Sequence, residues 1–223
     1  MASSEQKDAT GASTKVNLAR SAVEKELAGE ASNDFGEVAG QQGFARFVQY
    51  LIFFGCLLFA GYHCVTTIFG MPVAYVHRPI HVMFAASLAF LVYPSSKKRG
   101  PAPLDLVLAL VALAAFALPA IQADQIAERL VMVDDLTLGQ TISGITALVL
   151  VLVLIQRVVG MSLLVVCLLF LAYALWGNHI PGMLAHKGFS WNEVVDYLGF
   201  GLEGLYSSAI GVSATYIAAF IVF

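Results

Sequence analysis

The stretch that decides the fold is Phe47–Phe69, FVQYLIFFGCLLFAGYHCVTTIF, which contains no charged residue. A helix needs roughly 20 mostly apolar residues to cross the hydrocarbon core of a bilayer, which is about 30 Å thick. Five comparable apolar runs follow along the chain, at about 79–94, 104–122, 137–156, 158–177 and 206–223. The sequence therefore predicts an all-α, polytopic integral membrane protein with about six transmembrane helices.

The composition agrees with a lipid environment. Hydrophobic residues make up 59% of the chain and charged residues only 12%, whereas a soluble domain carries about 25% charged residues. A charge at the bilayer centre costs about 2.5–3.5 kcal/mol or more, which explains the shortfall. The net charge of −3 gives no indication of a nucleic-acid partner. The three cysteines, Cys56, Cys64 and Cys167, lie in apolar runs without metal-ligand spacing, and we interpret them as packing residues.

The organisation of the chain follows from its composition. Residues 1–45 are rich in Ala, Ser, Gly, Glu and Lys and are predicted to form a disordered tail. Residues 46–157 contain four apolar runs, and 158–223 contain two more. One helix through the fourth and fifth runs would be about 60 Å long, twice what a bilayer requires, so a turn is predicted at Arg157. The acidic segment 123–136 has an apolar pattern that predicts a short interfacial helix.

Three helix boundaries have recognisable signals. Pro79 is predicted to begin the second span, because a proline at the first helical position loses no hydrogen bond. Asp134 or Asp135 is the candidate cap of the fourth span. Ser190 and Glu193 have the spacing of a capping box.

The basic residues near the spans predict the orientation. One side of the membrane would carry Arg46, Lys97, Lys98, Arg99 and Arg157, and the other would carry Arg78, Arg129 and Lys187. Because basic residues are enriched in cytoplasmic loops, the N-terminus is predicted to lie in the cytoplasm.

Three histidines are candidate ligands. His77 and His81 are four residues apart and would share one face of a helix, and His63 lies near the outer end of the first span. Three histidines at one level could hold a metal ion or a haem iron, as in a membrane redox enzyme. The favoured interpretation is an ordinary hydrogen-bonded pair at the membrane surface, and His63 could pair with His77 or His81.

Further polar residues surround the last apolar run. Glu203 precedes it among several glycines, and an ionisable residue beside a span is a functional candidate. The structural alternative is a carboxylate at the end of an interfacial helix, bonded to nearby N–H groups. Hydroxyls enter the run itself at Ser207, Ser208, Ser213 and Thr215. Such hydroxyls usually bond to their own or a neighbouring helix, and their alternative role is to line a polar path.

Catalytic motifs are not recognisable in the sequence. It has no nucleophile–base–acid arrangement, glycine-rich phosphate loop, HExxH motif or CxxC motif. This argues against an enzyme and predicts no catalytic residue and no bound metal or cofactor.

Two blocks of sequence point to a known family. The first contains RPIHVMFA at Arg78–Ala85 and FLVYP at Phe90–Pro94. The second contains RVVG at Arg157–Gly160, LFLAY at Leu169–Tyr173, HKGFS at His186–Ser190 and GVSATY at Gly211–Tyr216. Together they resemble the N-terminal part of the fused permeases of the TRAP transporter family, in the branch that works with TAXI-type periplasmic binding proteins. The resemblance covers about residues 47–223.

The resemblance implies an architecture and a function. Residues 46–157 would be the four-span, small-subunit-like scaffold domain, and 158–223 would be the first spans of the large transport subunit, truncated here. The partners would be a periplasmic TAXI-type solute-binding protein, the remaining large-subunit transmembrane region and the lipid bilayer of the bacterial inner membrane. Organic acid-like solutes would be taken up with a sodium gradient. The family's sodium and substrate sites lie further along, so sodium would not be bound by this portion.

One departure and one alternative accompany this interpretation. The family often has Gly-Ile-Pro where this chain has Ser208-Ala209-Ile210, so the rigid bend that a proline imposes is not expected here. The alternative is a standalone membrane scaffold or assembly protein without transport activity. A reading frame that continues beyond Phe223 into more spans would favour the permease.

Overall fold

The computed structural model describes residues 42–95 and 102–222, and it confirms an all-α polytopic membrane protein. Its helices are α1 (Gln42–Phe69), α2 (Ala74–Val92), α3 (Pro103–Ile121), α4 (Ala123–Glu128), α5 (Leu138–Val158), α6 (Met161–Trp176), α7 (Trp191–Gly199), α8 (Ser208–Val212) and α9 (Ala218–Val222). Two 3₁₀ turns, Gly177–His179 and Gly182–Leu184, follow α6. Among the described helices, α1, α2, α3 and α5 are long and apolar enough to cross a membrane, and so is α6 together with the 3₁₀ turn that continues it to His179.

The predicted N-terminal tail lies largely outside the described residues, as does the basic cluster Lys97–Arg99. The predicted boundary at residue 45 needs one correction, because residues 42–45 are already helical and belong to α1. Phe44 and Ala45 extend the apolar run of the first span, which lets the helix begin earlier.

The sixth apolar run forms the shorter apolar helix Ser208–Ile221, here called the C-terminal helix. It consists of α8, a π-helical turn at Ser213–Ile217, and α9. It begins two residues later than predicted, because Ser207 is extended, with ψ of 177°. Its described part is shorter than the roughly 20 residues that a span requires.

The second span also differs from its prediction. The helix α2 begins at Ala74, and Pro79 lies buried inside it rather than at its start. The first turn forms on the carbonyl of Val73, which accepts from the N–H groups of Val76 and His77. Because Pro79 has no N–H, the carbonyl four residues earlier, that of Tyr75, lacks its helical hydrogen bond. Membrane helices tolerate such a loss when neighbouring groups compensate.

The turn between the fourth and fifth spans lies three residues beyond the predicted position. Arg157 belongs to the last turn of α5, and the chain reverses at Gly160, whose φ is +118°. The carbonyl of Ile155 accepts from the N–H groups of both Val159 and Gly160. Glycine is required there because a positive φ is strained for other residues.

The caps correct one prediction and confirm another. Thr137, not Asp134 or Asp135, caps α5, through a reciprocal pair of hydrogen bonds with Gln140. Ser190 and Glu193 form the predicted capping box of α7.

The predicted interfacial helix is shorter than its apolar pattern. It is α4, which ends at Glu128; Ile126 is buried, but Leu130 and Val133 beyond its end are exposed.

The helices pack as neighbours along the chain. The helix α2 packs extensively on α3, α3 packs on α5, and α5 packs on α7. The helix α1 runs antiparallel to α2, since Phe59 stacks on Phe84 and a Cβ at Gly55 would meet Leu88. By contrast, α6 has no buried residue among those described. We name the two ends of the bundle by their turns: the Gly70 end, where α1 turns into α2, and the Gly160 end, where α5 turns into α6.

Candidate functional site

Three histidines from the first two spans meet near the Gly70 end. His63 of α1 and His81 of α2 are hydrogen-bonded, with 3.0 Å between Nε2 and Nδ1. The ring centroids of His63 and His77 are 5.6 Å apart. All three side chains are buried. We call these residues, with Tyr62 and Ser213, the histidine cluster.

His77 connects α1 to the C-terminal helix. Its Nε2 lies 3.1 Å from the carbonyl oxygen of Ala214, and its Nδ1 lies 2.8 Å from the hydroxyl of Tyr62. A carbonyl oxygen can only accept, so Nε2 must carry the proton and donate it. In the neutral ring Nδ1 is then the acceptor of the Tyr62 hydroxyl. The two bonds fix one tautomer and hold both neighbouring helices on α2.

His81 makes a second connection to the same helix. Its Nε2 lies 3.3 Å from the Ser213 hydroxyl, while its Nδ1 faces His63. A neutral His81 has one N–H, so two arrangements satisfy both contacts. Either His63 donates to His81, which donates to Ser213, or Ser213 donates to His81, which donates to His63. The chain of bonds can therefore run in two directions with the same heavy-atom positions.

The metal hypothesis for these histidines gains no support. No group of His, Cys, Asp or Glu side chains in residues 42–95 and 102–222 is arranged to hold a metal ion. The nitrogens of His63 and His81 that face each other are engaged in their mutual hydrogen bond. The prediction of a hydrogen-bonded pair is closer to the structure: of the pairings considered, His63 with His81 is the one found, and both rings are buried within the bundle rather than at its surface.

The four hydroxyls predicted in or beside the last apolar run make different contacts. Ser213 contacts His81 on a neighbouring helix, and Thr215 donates to the carbonyl of Gly211 in its own helix at 2.9 Å. Ser207 precedes α8 without a capping bond from its side chain, and Ser208 is exposed. Of the four hydroxyls, only Ser213 joins the histidine cluster.

Glu203 is not part of the cluster. It lies in the turn between α7 and the C-terminal helix, and its side chain is exposed. Within the described part of the chain, its carboxylate has no hydrogen-bond or ion-pair partner. The alternative prediction, a carboxylate bonded to nearby N–H groups, is therefore not observed either.

Arg78 also belongs to this region, although its place in the sequence indicated only the orientation of the chain and the start of the RPIHVMFA block. Its Nη1 donates to the carbonyl of Tyr206 at 2.8 Å. A Cβ at Gly211 would lie 3.0 Å from its guanidinium, so any larger residue there would force the guanidinium to shift. Tyr206 itself is buried, its hydroxyl has no hydrogen-bond partner among the described residues, and this burial raises the pKa of Tyr206. The contact between the RPIH motif, residues 78–81, and the Gly-Val-Ser segment, residues 211–213, could not be predicted from the sequence, because the two are far apart along the chain.

Three cavities surround this region. One of about 380 Å³ is lined by Arg78 and His77 and by Ser208, Gly211 and Thr215 of the C-terminal helix. Two apolar cavities of about 420 and 400 Å³ adjoin the His81–Ser213 contact from the α1 side and from the α5 side.

A second polar cluster stabilises the Gly160 end. Asp105 is fully buried, and its Oδ1 accepts from Arg157 at 2.8 Å and from the hydroxyl and backbone N–H of Ser95. Its Oδ2 accepts from the backbone N–H of Ala102 at 2.9 Å. Arg157 also donates to the carbonyl of Tyr93. This cluster joins α2, α3 and α5. It also binds Ser95 and Ala102, the described residues on either side of the segment that contains Lys97–Arg99.

A third contact attaches α7. The buried carboxylate of Asp196 lies 3.3 Å from Arg129 and accepts from the backbone N–H of Met132 at 2.7 Å. Arg129 also donates to the carbonyl of Asp134. The acidic segment is thus folded onto α7 by one ion pair.

No protein-family model, curated protein or solved structure matches the chain.

Proposed function

We propose that this chain is the N-terminal membrane portion of a TRAP-type secondary transporter of the TAXI branch. In this proposal it lies in the bacterial inner membrane with its N-terminus in the cytoplasm. It acts mainly as the scaffold for uptake of organic acid-like solutes, delivered by a periplasmic binding protein and driven by a sodium gradient. The two sequence blocks that resemble the family provide the starting point.

The observation that carries the proposal is the attachment of the C-terminal helix. Residues 158–223 would begin the large subunit, and their last helix is held on α2 by His77 and His81, while Arg78 bonds the Tyr206 carbonyl just before that helix. A scaffold that braces a moving domain requires a firm connection between the two parts. Buried hydrogen bonds between helices supply one, since the alternative in lipid is an unsatisfied polar group.

The surface of α6 supports the same role. It has no buried residue among those described, and its side chains are apolar nearly throughout. Such a helix faces lipid or further helices, because a helix that is apolar all round is stable only in one of these environments. Further spans of a large subunit could pack there.

The experiment is uptake into proteoliposomes. The complete natural gene product would be reconstituted with a TAXI-type binding protein encoded near it, under an inward sodium gradient, and labelled organic acids would be added outside. Flux should require the binding protein and the gradient. A matched pair of variants in that protein tests the brace: Ser213→Ala should lower the flux, and Ser208→Ala, which removes an exposed hydroxyl of the same helix, should not.

Two outcomes would contradict the proposal. Sodium-driven flux from residues 1–223 alone would show that the chain is not a scaffold. A stop codon directly after Phe223, with no neighbouring gene for a permease or binding protein, would favour a standalone membrane scaffold.

A further inference from the structure

The guanidinium of Arg78 lines a cavity, and no carboxylate of the described residues forms an ion pair with it. The guanidinium uses one of its five N–H groups to bond the Tyr206 carbonyl. In residues 42–95 and 102–222, no carboxylate lies within ion-pair distance of it; the ion pairs found there belong to Arg129, Arg157 and Lys187. A partly buried cation without a partner is costly next to lipid, so an anion bound at this position would stabilise it.

The position of Arg78 along its helix indicates the level of that anion. It lies four residues after the first residue of α2, which places it about 6 Å along the helix axis. A helix of 19 residues is about 28 Å long, close to the thickness of the hydrocarbon core. With α2 crossing that core, Arg78 lies near one of its two surfaces, where its long side chain can extend to the lipid headgroups.

The walls of the cavity suit a headgroup. It has a volume of about 380 Å³ and is open on one side. The guanidinium of Arg78 provides the hydrogen-bond donors, while Met71, Pro72 and Val212 provide apolar surface. A guanidinium binds phosphate oxygens with two parallel hydrogen bonds, which a lysine ammonium cannot do.

The surroundings of the opening suit acyl chains. Phe69, Met71 and Val73, in the turn between α1 and α2, are all exposed, and so is Tyr216 of the C-terminal helix. Tyrosine is enriched at this level of membranes because its ring is apolar and its hydroxyl is polar.

We infer that the cavity between the α1–α2 turn and the C-terminal helix binds the phosphate of an anionic phospholipid through Arg78. The lipid would bridge α2 and the C-terminal helix, next to the contacts of the histidine cluster. The chemistry of recognition is that of a phosphate ester, which a soluble phosphate ester shares. This inference goes beyond the proposed function and does not depend on it, because it requires only that the helices lie in a membrane.

The experiment titrates lipid into the purified chain in non-ionic detergent, with retained lipid measured by native mass spectrometry and stability by thermal unfolding. The probes are dioleoylphosphatidylglycerol, dioleoylphosphatidylcholine and sn-glycerol 3-phosphate. We expect the anionic lipid to be retained and to raise the unfolding temperature more than the zwitterionic lipid does. Arg78→Gln should weaken its apparent affinity about ten-fold, as the loss of hydrogen bonds to a charged group predicts, and Arg78→Lys should weaken it less.

Two further variants separate binding from folding. Gly211→Ala keeps the arginine but places a Cβ 3.0 Å from its guanidinium, so it should also weaken lipid retention. Lys187→Gln removes an equal charge at an exposed side chain and should leave retention unchanged. Monodisperse gel filtration establishes that each variant is folded.

Unchanged retention of the anionic lipid in folded Arg78→Gln and Gly211→Ala would overturn the inference. So would equal retention of the two lipids by the wild-type chain. If glycerol phosphate bound as tightly as the anionic lipid and displaced it, the site would be one for soluble phosphate esters and the lipid assignment would be wrong.

Discussion

The two ends of the bundle are held by different chemistry. At the Gly160 end, a fully buried carboxylate, Asp105, receives hydrogen bonds from Arg157, Ser95 and Ala102. At the Gly70 end, the histidine cluster joins the helices through neutral rings, a phenol and a hydroxyl. The charged cluster has one arrangement that satisfies its acceptors, whereas the His63–His81–Ser213 chain has two.

The difference bears on rigidity. A buried charge that loses one partner remains desolvated and unpaired, so the Gly160 end is stabilised against any separation of α2, α3 and α5. The contact between His81 and Ser213 is long, at 3.3 Å, and a neutral hydrogen bond contributes only about 0.5–1.5 kcal/mol net. Movement of the C-terminal helix relative to α1 and α2 is therefore the less costly deformation of the two.

The largest expected effect follows from removal of the charge pair. Arg157→Ala leaves the carboxylate of Asp105 buried without its cation, and breaking a buried pair in this way costs about 3–5 kcal/mol. The free energy of unfolding, measured by SDS titration in mixed micelles, should fall by about this amount.

Its control is Lys187→Ala, which removes a cation from the exposed pair with Glu193, where N and O are 3.7 Å apart. That variant should unfold like the wild type. Equal losses in the two variants would show that the Gly160 end does not depend on its buried charge.

The next effect tests whether the middle of the bundle is held by apolar packing. A Cβ at Gly144 of α5 would lie 2.7 Å from Val195 Cγ1 and 2.9 Å from Phe200 Cε2. Gly144→Ala should therefore destabilise the protein by about 1–3 kcal/mol through overpacking, as measured by the same titration. Gly139→Ala is the matched control, because nothing lies within 4 Å of a Cβ there. Similar results for both glycines would mean that α5 and α7 separate without cost.

A smaller loss is expected at the Gly70 end. Ser213→Ala removes the hydroxyl that faces His81 and should cost about 1 kcal/mol, the usual value of one neutral hydrogen bond. Ser208→Ala, in the same helix but exposed, should cost less, and SDS titration of the two variants measures the difference. A loss at Ser213 as large as that of Arg157→Ala would remove the contrast between the two ends.

The sequence predicts the spans well because length and hydropathy determine them. It predicts their ends less well, and the physical reasons are local. Pro79 lies inside α2 because the first turn forms on the preceding carbonyl of Val73, and Gly160 replaces Arg157 as the turn because only the glycine tolerates a positive φ.

The sites are harder to predict because they depend on which helices meet. His63 and His81 are separated by a turn, and Arg78 meets a carbonyl from a segment that follows three more spans. Spacing along one helix carries no information about these contacts. In the sequence, Asp105 is only a charge at the mouth of a span. In the structure, its four hydrogen bonds come from two other segments, at Ser95 and Arg157, and from its own helix start at Ala102.

The smallest effect compares Asp105 with a carboxylate outside the membrane-spanning helices. The backbone N–H of Ser190 donates to Oε2 of Glu193 at 2.6 Å, and this bond, with a contribution from the Ser190 side chain, holds the pKa of Glu193 below its ordinary value of 4.5. A carboxylate with a lowered pKa stabilises the folded state above the ordinary pKa, and this contribution is lost as the pH falls through the lowered value. The thermal unfolding temperature of Glu193→Gln should therefore lie slightly below that of the wild type at pH 7. The difference should shrink as the pH falls below 4.5 and vanish below the lowered pKa. Since the Glu193 side chain is accessible to water, the loss of stability should be much smaller than that of Arg157→Ala. A difference between wild type and Glu193→Gln that persisted unchanged at low pH would show that the glutamine amide disturbs the cap by its shape and not by its lack of charge.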